Sequence, residues 1–156
     1  METRLNLFAS PVVAKALGHY GAAAPVLIQE SAVPATTQNL VMLRASQING
    51  DGYATDVHGQ NAAHAGETVA RLNLVAVWRE STVFTDAERA ALELTEQGTR
   101  IADGAGGVTD EAWANAAGHY DDDQLAALVA FIALINATNR FAVMNRQRGG
   151  AYQPAR

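Results

Sequence analysis

At 156 residues and 16.5 kDa, 49% of them hydrophobic, the chain has the length and apolar content of one domain that buries its own core. It contains no cysteine, which excludes disulfide staples, thiolate metal ligands, cysteine nucleophiles and thiol redox chemistry. A formal charge of −5 opposes binding to a phosphate backbone, so nucleic acid is not an expected partner.

In chain order, Leu5 to Leu17 and Ala22 to Gln29 are the first two stretches with apolar residues at three-to-four spacing, separated by Gly18 and Gly21. The start has no apolar core followed by a small-residue cleavage site, so it does not read as a secretory signal, and a cytoplasmic protein is expected. Thr37 to Ile48, Tyr53 to Ala65 and Thr68 to Glu80 continue the same period. Thr85 with Glu88 has the form of a capping box, which predicts a helix beginning at about Asp86 and ending before Asp103-Gly104-Ala105-Gly106-Gly107. Thr109 with two acidic residues behind it predicts a short helix near 110–118, and Asp121 with Gln124 a long one near 122–146. Strand signals are scarce, so the fold class is all-α, with about seven or eight helices. One domain over 1–148 and a loose tail over 149–156 are expected.

The long helix is apolar almost all round from Leu125 to Ile135, so it must be covered on every side, by its own domain or by a second subunit. That run alone is too short for a bilayer, and no membrane span is expected. His58 and His64 stand six residues apart, about 240° around a helix, and cannot converge on one metal. The glycines at 104, 106 and 107 follow no strand and precede no Lys, which argues against dinucleotide and P-loop sites. No metal and no cofactor are expected.

Leu40 to Gly50, LVMLRASQING, followed by Tyr53, Asp56 and His58, resembles the core signature of the carboxymuconolactone decarboxylase and alkylhydroperoxidase D superfamily. So do, in the same order, Arg71-Leu72, Trp78-Arg79-Glu80-Ser81, Phe84-Thr85-Asp86, Glu88 to Leu92, Ile135-Asn136-Ala137 and Asn139-Arg140. The resemblance covers roughly residues 37–146 and implies an all-helical subunit that assembles, here expected as a trimer or hexamer. In the family's redox branch a Glu is followed after eleven residues by Cys-x-x-Cys and, three residues later, by a His. On this chain those positions are Asn39, Asp51, Ala54 and His58, so only the His is kept. With both sulfurs gone, hydroperoxide reduction by a dithiol mechanism is expected to be absent.

What remains is a carboxylate and an imidazole seven residues apart, within roughly 20° of one helix face and about 10 Å apart along it. That gap suits a small substrate held between His58, as general acid or base, and Asp51, as the complementary carboxylate. Asn39 could donate to a carbonyl or an oxyanion, with Gln47, Tyr53 and Trp78 as further pocket residues. The structural alternatives are specific: Asp51 as a helix N-cap, His58 as a buried hydrogen-bonded ring, and Asn39 as a solvated helix residue. The expectation is a cofactor-independent lyase or isomerase (decarboxylation, isomerisation, dehydration or ring closure) acting on a small carboxylated or carbonyl-bearing metabolite, such as one of secondary metabolism. A catalytically silent binding or assembly module is the competing reading, and residual peroxidase-like activity the third.

Overall fold

The computed structural model describes residues 2–104 and 106–154; Ala105 of the Gly-rich turn and residues 155–156 of the expected tail lie outside them. Among the described residues seven α-helices run in order: α1 Pro11–Glu30, α2 Ala35–Ile48, α3 Gly52–His64, α4 Val69–Leu74, α5 Asp86–Thr99, α6 Asp110–Ala117 and α7 Asp122–Asn145. Short 3₁₀ turns at Leu7–Ala9 and Val75–Glu80 complete the secondary structure, and no strand occurs among the described residues.

Local chemistry sets most of these boundaries. The Thr85 hydroxyl accepts from the Glu88 N–H while the Glu88 carboxylate accepts from the Thr85 N–H, and Asp121 and Gln124 repeat the exchange at the start of α7. Arg146 closes α7 in the left-handed conformation, with φ 58°, which turns the chain back over the helix end. The first two predicted stretches form one helix, α1, because Gly18 and Gly21 stay helical and Pro25 is accommodated within it. The 68–80 stretch divides instead: its helix ends at Leu74, and Val77, with φ −124°, kinks the following 3₁₀ turn.

The main core lies between α2, α5 and α7, with Val41, Leu94, Leu128, Phe131, Ile132 and Ile135 at its centre. A second cluster gathers Leu40, Leu43, Val75, Trp78, Phe84 and Leu92. Glu96 is a buried carboxylate at the edge of that second cluster. It accepts from Arg44 at 2.5 Å, from the Trp78 indole N–H at 3.0 Å and from Arg79. Burial pushes its carboxyl up, but the bonds from Arg79, Trp78 and Arg44 outweigh this and hold it below its ordinary 4.5.

By length and composition α7 would suffice to cross a bilayer, which the shorter Leu125–Ile135 run did not suggest. In the fold it is the central helix, covered along one side by α1, α2 and α5. Its outer side leaves Val129, Val143 and Met144 exposed, and the exposed Ile101 and Trp113 line a groove together with Val129.

Described residues near both ends of the chain are tied to the helices. Asn145 accepts from the Leu5 N–H at 2.9 Å and donates to the Leu5 carbonyl at 2.7 Å, which brings the N-terminal segment onto the end of α7. Within the segment expected to be loose, Gly150 and Tyr152 bond to α3: Asp56 accepts from their N–H groups at 2.7 and 3.2 Å, and the Tyr152 hydroxyl donates to Asn61 at 2.8 Å. Gly149 makes this approach possible, since a Cβ there would collide with the Gly52 carbonyl oxygen.

Candidate active site

Asp51 begins α3, as the turn-rich Asn49-Gly50-Asp51-Gly52 predicts, and it is 2% exposed. Its Oδ1 accepts from the Ala54 N–H at 2.9 Å, and its Oδ2 accepts from the Asn139 side-chain amide, also at 2.9 Å. The carboxylate therefore caps α3 and welds it to α7. Asn139 is itself fully buried, donating in addition to the Ser46 hydroxyl at 3.2 Å. Its carbonyl oxygen accepts from Asn49, which donates a second bond to Asn136, and Asn136 donates to Thr99. Four polar side chains from α2, α5 and α7, together with Asn49 and Asp51 from the α2–α3 turn, form one connected network.

His58 stands two turns further along α3. It lines a half-open cavity of about 300 Å³, together with Tyr53 and Val57 of α3, Leu7 and Phe8 of the N-terminal segment, and Ile135 and Phe141 of α7. Asp51 and Thr138 also reach this wall. Gln147 joins it because the left-handed turn at Arg146 folds the chain back, with the Gln147 N–H donating to the Ala142 carbonyl at 2.9 Å. A second cavity, of about 260 Å³, meets the first at His58, Phe8, Leu17, Ile135 and Thr138. The imidazole makes no hydrogen bond to any described residue, and burial lowers its pKa from 6.5 to about 4. At neutral pH the ring is uncharged, with its hydrogen-bonding capacity directed to the cavities rather than to the protein.

The sequence-derived constellation is thus only partly assembled. His58, Asp51 and Tyr53 meet at one cavity, whereas Asn39, Gln47 and Trp78 do not line it. Trp78 belongs to the second core, 3% exposed, between the Arg79 and Arg89 guanidiniums at 4.2 and 5.2 Å. Gln47 lies beside Arg44, at 3.5 Å, and Asn39 is a half-buried residue of α2 with no side-chain bond to a described residue. Their placement follows from helix geometry, which gives α2 faces directed away from α3. The residues that sequence reasoning missed, Phe8, Leu17, Thr138, Phe141 and Gln147, come from distant segments and carry no motif. Asn136 and Asn139 had a signal, since both stand in the family-like block near the end of the chain.

The fold and the retained sequence blocks define an alkylhydroperoxidase D-like helical protein. The family model described as "Carboxymuconolactone decarboxylase family" matches residues 11–97, more than half of the chain, and the chain belongs to that family. The uncharacterized protein YdfG of Bacillus subtilis is 34% identical over 79% of this chain and 82% of its own length. ATU0492 of Agrobacterium tumefaciens, a protein of unknown function given the antioxidant-defence designation AhpD, superposes with TM-score 0.88 at 34% identity, over 97% of this chain and 100% of that one. The debrominase Bmp8, solved in complex with 2,3,4-tribromopyrrole, shares the fold at TM-score 0.77 and 18% identity, over 92% of this chain and 73% of that one.

Proposed function

We propose that this chain is a cofactor-independent acid/base enzyme that uses His58 to take and return a proton on a small carbonyl- or carboxyl-bearing molecule, without thiol peroxidase activity. The observation that carries this reading is the uncharged His58 ring, without a protein partner, on the wall of an apolar cavity. Asp51 is a positioning residue: with both carboxylate oxygens engaged, it fixes the start of α3 and so the direction from which His58 meets the cavity. Tyr53, on the same wall and with no side-chain hydrogen bond to a described residue, supplies a hydroxyl donor in place of the complementary carboxylate expected of Asp51. A base with a pKa of about 4 is fully available at neutral pH but weak, so it demands a C–H bond strongly acidified by an adjacent carbonyl that a donor polarises, and lyase or isomerase chemistry begins with such an abstraction.

The test is hydrogen exchange into D2O, followed by mass spectrometry across a panel of small ketones, lactones and keto acids. The protein should accelerate exchange for at least one compound, His58→Gln should abolish that acceleration, and Tyr53→Phe should reduce it by about 10²-fold, the contribution of one acid/base group. Acceleration that survives His58→Gln, or none for any compound, would overturn the assignment and favour the silent binding module.

The exposed apolar side chains on the outer side of α7, with Ile101 and Trp113, support a homo-oligomer. Light scattering should return a mass that is a multiple of 16.5 kDa, three- or sixfold; a monomer would contradict this.

A further inference from the structure

We propose that the site takes an uncharged, two-lobed, largely apolar molecule that presents one central polar group, a hydroxyl or a carbonyl, to His58. This rests on the reading of the His58 cavity as the ligand site, but not on any turnover there. Cavities of about 300 and 260 Å³ meet at His58, one running toward Val57 and Phe141, the other toward Gly21 and Met42. The imidazole stands at their junction, where a ligand filling both lobes would place its middle rather than its end.

The walls set the charge of that ligand. Among the described residues no Arg or Lys lines either cavity, and the charged group present is the carboxylate of Asp51. An anionic ligand would leave water without a counterion and would meet a buried like charge. An ammonium would find in Asp51 a carboxylate whose two oxygens are already held by Ala54 and Asn139. Uncharged donors and acceptors fare better: the His58 ring, the Tyr53 and Tyr20 hydroxyls and the Gln147 amide are all neutral and polar. Of the two substrate types expected from the sequence, this favours the carbonyl compound over the carboxylate.

Three probes of related shape separate these features when titrated into the full chain at pH 7, with affinity from calorimetry and contact from the His58 imidazole NMR signals. Benzhydrol has two apolar lobes about a central hydroxyl, diphenylacetate has the same lobes about a charge, and benzyl alcohol has one lobe. Benzhydrol should shift the His58 signals and bind at least tenfold more tightly than either of the others. Gly21→Leu, whose added side chain enters open space at the second cavity, should reduce benzhydrol to the affinity of benzyl alcohol. Val57→Phe, filling the first cavity, provides the same comparison from the other side. Equal or tighter binding of diphenylacetate, equal binding of benzyl alcohol, or indifference of benzhydrol to both substitutions would each overturn the proposal. The predicted ranking in a protein inert in the D2O assay would uphold it and defeat the catalytic reading alone.

Discussion

Replacing Glu96 with Ala is expected to destabilise the fold by about 3 kcal/mol or more, the cost of breaking a buried ion pair from one side. The substitution strands the Arg44 guanidinium, whose side chain is 12% exposed, and the buried Trp78 N–H, and neither has a second carboxylate within reach. Arg79 keeps Glu93 as a partner, so it contributes less to the loss. Glu93→Ala is the control: it removes a more exposed pair, with side chains 45% and 30% exposed, and should cost under about 1 kcal/mol. Thermal unfolding of both variants checks the contrast, with roughly 6–12 °C expected for the first at this chain length. The pH dependence carries a sign. Because the folded-state pKa of Glu96 lies below 4.5, its stabilisation is complete above about 4.5 and is lost as pH falls through the lower, folded value. Glu96→Gln should remove that part of the acid-induced loss.

Asp51→Ala is the second large effect, about 2–4 kcal/mol: roughly 1 for the lost cap of α3, and about 1–3 for a buried Asn139 N–H left unpaired. Asp51→Asn should be milder, since an amide oxygen can still accept from the Ala54 N–H. It nevertheless sets one amide nitrogen against that of Asn139 unless Asn139 turns over and gives up its bonds to Ser46 and Asn49. Denaturant unfolding should therefore rank wild type, Asn, then Ala. Equal loss in the two variants would show that the link to α7, rather than the cap, is the part that matters.

The helices were legible because their ends are written in short-range chemistry: Thr85 with Glu88, and Asp121 with Gln124, form the reciprocal bonds that their types and spacing predict. Where the sequence misled, tertiary contact overrode local propensity. Gly18, Gly21 and Pro25 would break an isolated helix, yet α1 continues through all three along the side of α7. The site was legible only along α3, where seven-residue spacing set Asp51 and His58 on one face. Nothing local to Asp51 reveals that Asn139, 88 residues away, takes up its second oxygen, and that bond turns a supposed reactant into a strut. Trp78, a further pocket residue by sequence, has its indole N–H committed to Glu96 in the second core.

The imidazole itself tests the proposal that a neutral histidine serves an apolar cavity here in place of redox cysteines. Following the ring signals of His58 by NMR from pH 8 to pH 3 gives its protonation midpoint within the folded chain. The expected midpoint is near 4, far below the ordinary 6.5, because burial disfavours the charged ring. The unfolded chain then takes up this proton first, so stability should fall by up to about 1.4 kcal/mol per pH unit between 6.5 and 4 and level off below, a slope that His58→Gln removes. A midpoint near 6.5 would mean a solvated histidine outside any sheltered cavity, and would overturn the assignment of His58 as a neutral cavity base.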